Sequence, residues 1–370
     1  LAGTFILSGF LEDGWNRFFH SYLASYTFYL SLSLGALFFV AWHHLSRAGW
    51  SVVVRRLAEL MGANTILLAV LFLPILAGLE TLYPWSHTGA AGEDPLLAGK
   101  SPYLNVVFFL ARGVLYFAVW SGLSYYLLSR SLKQDESGDA DLTVRLERMS
   151  APALLLLSLT VTFASFDWLM SLDAHWYSTI FGVYYFSGGM LGFFAFLILA
   201  LYGLQRAGRL TQAVTVEHYH DLGKWLLAFT LFWAYIAFSQ YMLIWYGNIP
   251  EETEWFLRRQ GGGWGWVGLI LIFGHFVIPF MGLLSRYPKR RKPLLAFWAA
   301  WILVMHWIDL YWLVMPEFRS PGVPLHWVDF GCLAGLGGLY LASLARLARG
   351  RPLVPVKDPR LGESLTFENA

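Results

Sequence analysis

YLASYTFYLSLSLGALFFVAW, residues 22–42, runs for 21 positions without an Asp, Glu, Lys, Arg or His. At 1.5 Å per residue a helix of this length covers about 31 Å, the thickness of a bilayer's hydrocarbon core. In lipid every backbone N–H and C=O must be bonded within the protein, and a helix meets that demand from its own residues. The stretch reads as a membrane-spanning helix. Working outward, comparable spans recur at 62–82, 103–128, 151–172, 176–204, 222–245, 266–284, 294–315 and 327–347. The fold class is therefore an all-α polytopic membrane protein, a helical bundle of nine complete transmembrane helices plus an N-terminal stub.

Composition agrees, with 57% hydrophobic, 18% aromatic and only 14% charged residues. Spans and short connections consume almost all of the 370 residues, so no separate soluble domain fits. The net charge of +2 sums over two faces and says little about partners; its distribution says more. Connections around 47–56, 130–148, 206–209 and 286–292, with the segment 346–360, hold 19 of the 26 Lys and Arg. The opposite loops hold Arg17, Lys100, Arg258, Arg259 and Arg319. The positive-inside rule places the basic loops, and with them the C-terminus, in the cytoplasm. Nine spans then put residue 11 outside. Residues 1–10 read as the outer end of a tenth helix, 11–348 as the bundle and 349–370 as a cytoplasmic tail; a signal-peptide remnant is the rival reading of the stub.

The single cysteine, Cys332, can neither close an internal disulfide nor hold an iron–sulfur cluster, and no C-x-x-C-H is present for covalent haem. Only His275 and His306 fall well inside spans, one candidate pair for a b-type haem. Gly261–Gly263 follows an acidic segment rather than a strand and reads as a turn, not a nucleotide loop. Neither a catalytic residue nor a metal site is predicted. Function is to be sought among polar side chains inside the membrane.

Five ionisable residues lie at membrane depth: Arg112, Asp167, His275, His306 and Asp309. An ionised group at mid-helix costs roughly 2.5–3.5 kcal/mol on insertion scales, so such groups face a bundle interior or water and are paired. His306 and Asp309, three apart, share a helix face. By depth the five could line one polar passage from the outer surface to the membrane centre. At the basic end His218, His220, Asp221 and Lys224 lie at the level of His43 and His44 and suggest a second half-channel. The structural alternative stays open: Arg112 pairs with Asp167 or Asp309, and His306 only bonds a neighbour. Glu251 and Glu252, in an outer loop before Arg258 and Arg259, are candidates for proton collection or subunit docking.

Longer motifs then suggest a family. FASFDWLMSLDAHWYSTIFGVY at 163–184, HDLGK at 220–224, FWAYIAFSQYMLIWYGNIPEET at 232–253, HWIDLYWLVMP at 306–316 and EDPLLAGK at 93–100 resemble signatures of the second NrfD-like (polysulphide reductase NrfD-type) membrane subunits, the ActF type, of alternative complex III, a quinol:cytochrome c oxidoreductase. The likeness runs through most of the chain from about residue 20. It implies a ten-helix subunit in a bacterial inner membrane, named for quinone binding. The implied partners are an ActC-like NrfD paralogue, a multihaem cytochrome c, an iron–sulfur subunit related to molybdoenzymes and small membrane-anchored subunits, with a terminal oxidase as a further candidate. Haem and iron–sulfur centres would sit on those partners, and this chain would bind no cofactor beyond a quinone such as menaquinone, or lipid; nucleic acid is not a partner. The resemblance carries Asp167, Asp173, His175, His220, Asp221, Lys224, Glu251, Glu252, His306 and Asp309 as proton-path candidates, whereas Arg112 and His275 rest on depth alone.

A quinone needs an apolar groove with one or two polar groups for its carbonyls. Tyr241, Trp245 and Tyr246 could line one, although aromatics at this density more often pack cores or mark interfaces. The expected role is proton conduction and scaffolding in the respiratory chain, with quinol binding or oxidation and a purely structural anchor as the alternatives.

Overall fold

The computed structural model describes residues 1–318 and 322–369. Arg319, counted above among the outer cations, and Ala370, the last residue of the predicted tail, lie outside them, as do the side chains of Ala91 and Glu93. Among the described residues a short helix α1 (Ala2–Ser8) is followed by nine helices long and apolar enough to span a membrane, and there is no strand. The nine are α2 (Gly14–Leu45), α3 (Val52–Ala77), α4 (Val106–Ser137), α5 (Asp141–Leu172), α6 (Phe181–Arg206), α7 (Val216–Gly247), α8 (Trp264–Leu284), α9 (Lys292–Phe318) and α10 (Trp327–Ala348).

Helix α2, the stretch that opens the reading, is the mast of the bundle. Its apolar window is 89% buried, against 28% for α7 and α8. It packs on α3, α5, α6, α9 and α10. Helices α3, α4 and α5 thus form one group and α6, α7 and α9 another, with α2 shared between them. The peripheral helices keep apolar faces outward, as lipid requires. Helix ends are stopped by local chemistry: the Asn105 side chain accepts from Phe108 N at 2.8 Å at the start of α4, and Thr215 with His218 forms a capping box at the start of α7.

The second span departs from its expected limits of 62–82. Its helix begins ten residues earlier, because Arg55 and Arg56 are not loop cations but buried members of α3. Glu59, one turn on, bonds Arg56 Nε at 2.8 Å and Arg55 Nε at 3.4 Å. Asp135 of α4 takes Arg56 at 2.7 Å and Asp358 takes Arg55. Nearer its C-terminal end α3 is interrupted, and tyrosine hydroxyls of α2 take up the loosened carbonyls: Tyr26 donates to Leu68 O at 2.9 Å and Tyr22 to Leu71 O at 2.6 Å. Helix α8 is irregular in a different way, with a π-helical segment at Leu271–Val277 that carries His275.

Candidate functional site

The centre of the second helix group holds a buried polar cluster built on α9. His306 and Asp309 are each 1% exposed and lie on one face, as their spacing predicts. Asp309 accepts a hydrogen bond from the Tyr184 hydroxyl of α6 and one of 3.1 Å from Trp233 Nε1 of α7. Both partners are neutral. His306 Nε2 lies 2.8 Å from Ser31 Oγ of α2, and that hydroxyl donates its own proton to Phe28 O at 2.7 Å. With that proton on Phe28 O, Ser31 accepts from His306 Nε2; Nδ1 of His306 is buried without a partner whichever ring nitrogen holds the proton. Gly188 and Gly192 of α6 make room for the ring: a Cβ on Gly192 would stand 2.7 Å from His306 Cδ2, and one on Gly188 3.0 Å from Cε1.

His275 completes the cluster from the π-helical segment of α8. Its ring centroid is 4.1 Å from the Trp233 ring and 6.3 Å from that of His306. Neither of its nitrogens has a partner. A π-bulge re-aims a side chain at the expense of helix regularity and recurs at functional sites. Here Trp301 Nε1 donates to Gly274 O at 2.7 Å and supports the distorted turn.

Asp167 and Arg112 stand apart from this cluster, in the first helix group. Arg112 Nε and Nη2 donate to the two carboxylate oxygens of Asp167 at 2.8 Å each, and the Tyr116 hydroxyl adds a third bond at 2.7 Å. Arg112 Nη1 reaches Tyr103 O at 2.9 Å, and its guanidinium lies 3.9 Å over the Tyr103 ring. The single passage lined by all five residues is therefore corrected. Arg112 is matched to Asp167 on α4 and α5, while His275, His306 and Asp309 gather among α6, α7, α8 and α9.

A chain of ionic contacts descends toward Asp309 from the face opposite the basic loops. Exposed His175 Nε2 meets Asp94 at 2.5 Å, and its Nδ1 is 3.9 Å from Asp173. This contact holds the Asp94 carboxyl below its usual range. Asp173 pairs with Arg258, Arg258 with Glu317 at 3.0 Å, and Glu317 with Arg259 at 3.1 Å. Arg259 lies 3.4 Å over the Trp255 ring and donates to Leu313 O at 2.9 Å, one turn of α9 above Asp309. Burial brings its guanidinium down to about 10 against the pull of Glu317, so it stays charged at neutral pH. Glu251 and Glu252 open the helix Pro250–Arg258; among the described residues neither has an ion pair, and they do not join this chain.

Between α7 and α8 lies a cavity of about 520 Å³ whose walls include Tyr184, Trp233, Gln240, Tyr241, Arg259 and Trp312. It spans the gap between the end of the ionic chain and the donors of Asp309. Gln240 accepts from Ser178 Oγ at 3.0 Å, and Trp312 Nε1 is buried without a partner. Tyr241 is a wall residue of this cavity. Trp245 and Tyr246 are not; they are 65% and 84% exposed on the outside of α7.

At the basic end Lys224 pairs with Asp221 and donates to Asn369 Oδ1 at 2.6 Å. His220 is buried with its Nδ1 unpartnered. His43 and His44 lie 12 and 13 residues along α2 from Ser31, about 18–20 Å of helix rise. That interval is apolar apart from Ser33, which bonds the Tyr340 hydroxyl at 3.1 Å, and Phe39 packs within it on Phe193 and Phe194 at 5.1 and 5.7 Å. The two polar regions are thus separate.

Sequence reasoning did not single out Tyr184, Trp233, Ser31 or Glu317. The first three matter only through contacts between helices, which depend on rotations that periodicity in so apolar a chain does not fix. Glu317 had a readable signal, a lone acid at the end of a span opposite two arginines. Comparison with protein families gives no match to the chain, and comparison with curated proteins gives none either.

Proposed function

We propose that this chain is a proton-handling and scaffolding subunit of a respiratory quinol:electron acceptor oxidoreductase, of the ActF type that the motifs at 163–184, 232–253 and 306–316 resemble. The observation that carries the reading is Asp309: a carboxyl group at membrane depth, held only by neutral donors, one helical turn below the end of an ionic chain that reaches the surface. Buried acids without a fixed countercharge are the groups that proton relays use.

In this account Tyr184 and the unpartnered ring nitrogens of His275 and His306 are the neighbouring exchange groups. Water in the cavity would join Tyr184 to Arg259 and Glu317. The largely apolar interval on α2 keeps the inner histidines from short-circuiting the path. The basic face is cytoplasmic on this reading, and the electron carriers, a multihaem cytochrome c and iron–sulfur centres, belong to partner subunits together with the ActC-like paralogue. The chain alone performs no redox step.

The cavity supports a second reading, quinol binding in this subunit. It is largely apolar, within the size range of ligand sites, and walled by flat aromatic rings with the Gln240 amide as a hydrogen-bonding group. The test that separates the two is quinol-driven proton release by the intact complex in liposomes. Proton conduction predicts that Asp309→Asn lowers release per electron while quinol turnover continues. Loss of turnover with an unchanged ratio favours the quinol site, and no change in either leaves the cluster structural.

A further inference from the structure

The predicted tail is not a free end. After α10 the chain turns at Gly350, where φ is +71°, and runs through Pro352, Pro355 and Pro359 into a short helix, Leu361–Leu365. Along the way it is tied to four different parts of the basic face. Lys357 Nζ donates to Glu136 O at 2.5 Å, Asp358 pairs with Arg55, and Arg360 Nη2 donates to Glu147 Oε1 at 2.6 Å. Ser364 Oγ donates to Trp50 O at 2.6 Å and accepts from Val53 N at 3.3 Å. Asn369 Nδ2 donates to Glu217 O at 3.1 Å. Gly49 is shaped to this segment, because a Cβ there would fall 2.1 Å from the Glu363 carboxyl carbon.

Beneath these contacts lie the inner histidines. Trp50 stands between the His43 ring, 5.5 Å away, and the Phe367 ring, 6.1 Å away. Phe367 also lies 5.6 Å from the His218 ring, whose Nε2 is 3.5 Å from Ser364 Oγ. His43, His44 and His218 are 3%, 1% and 0% exposed, and both nitrogens of His44 lack a partner. Buried polar groups left in this condition call for water or a proton partner. The covering segment packs Leu353, Val354 and Leu361 on the core and is otherwise held by polar contacts, of which those exposed at its rim are individually weak. Its most buried anchor can be released without stranding a charge, since Arg55 keeps Glu59 at 3.4 Å.

We propose that residues 350–369 form a strap that closes the basic face over His43, His44 and His218, and that its detachment opens this histidine layer to water. On the proton-handling reading the strap controls access to the inner half-channel; its movement can be measured without that reading. The experiment places His44→Cys in a Cys332→Ser background of the full chain, in phosphatidylcholine nanodiscs, and follows its reaction with a sulfonated maleimide. With the strap intact, labelling is slow. Adding Asp358→Asn and Arg360→Gln should speed it about tenfold or more, because the rate follows the population of the open form. Ser364→Ala with Phe367→Ala, which spares the ion pairs, should give a smaller rise, about threefold. Melting temperature and gel filtration report whether each variant stays folded. Equal rates in the intact chain and in either folded variant overturn the proposal. Faster labelling together with normal proton release in Asp309→Asn keeps the strap and removes the relay; the reverse pattern does the opposite.

Discussion

Asp167 and Asp309 are both 1% exposed and both sit in the half of an apolar helix away from the basic loops, yet the molecule holds them by opposite means. Asp167 is locked by two guanidinium bonds and a tyrosine, so both of its oxygens face donors and its charge is cancelled on the spot. Asp309 has a tyrosine hydroxyl and an indole N–H, no cation in bonding contact, and two histidines with unpartnered nitrogens nearby. On the proposed reading, the difference separates a carboxylate that holds helices together from one that exchanges a proton. Membrane depth alone does not distinguish them; the charge of the partner does.

The sharpest way to break this comparison is to remove the countercharge. Arg112→Met leaves Asp167 buried and unpaired, and should cost about 3–5 kcal/mol, seen as loss of folded protein in a detergent melt. The double variant Arg112→Met with Asp167→Leu should recover most of that, as expected when both charges of a buried pair leave together. Asp309→Asn has no cation to strand and keeps an acceptor for Tyr184 or Trp233. It should cost no more than about 1–2 kcal/mol in the same melt while removing the proton function. If Asp309→Asn proves as destabilising as Arg112→Met, the contrast fails.

Smaller effects test the surroundings. Tyr184→Phe removes one donor to Asp309 and should destabilise by about 1–3 kcal/mol; proton release should slow without loss of assembly. Gly192→Ala presses on His306 and should cost about 1–3 kcal/mol through overpacking, with release slowed in step. The smallest effect is at the surface. The Asp94 carboxyl is held below its usual range by His175, so the stability it adds is present above the unfolded carboxylate pKa and is lost as pH falls through the lowered folded value. Asp94→Asn should abolish this acid dependence in proteolysis of the 87–104 loop, by bringing its protease resistance at neutral pH down to the level the unaltered protein shows in acid.

Much of this was legible in the residues. Apolar length and the placement of Lys and Arg define the spans, because lipid punishes unbonded backbone and charge wherever they occur. The 306/309 face follows from helix geometry, and Asp167 was one of two foreseeable partners for Arg112. The limits of α3 were not legible, since Arg55 and Arg56 are neutralised by Glu59 on their own helix and by Asp135 and Asp358 far along the chain. A sequence reading sees two loop cations where the fold has a buried network. For the same reason the 349–370 segment read as a tail, and Tyr184 and Trp233 as two aromatics among many.

The most direct measurement is an infrared difference spectrum of the complex upon reduction by quinol, comparing Asp309→Asn and Asp167→Asn with the unaltered protein. The account predicts a carboxylic-acid stretch that changes on turnover, shifts in deuterium oxide and vanishes only in Asp309→Asn. A band that persists in that variant, or that disappears in Asp167→Asn instead, contradicts it.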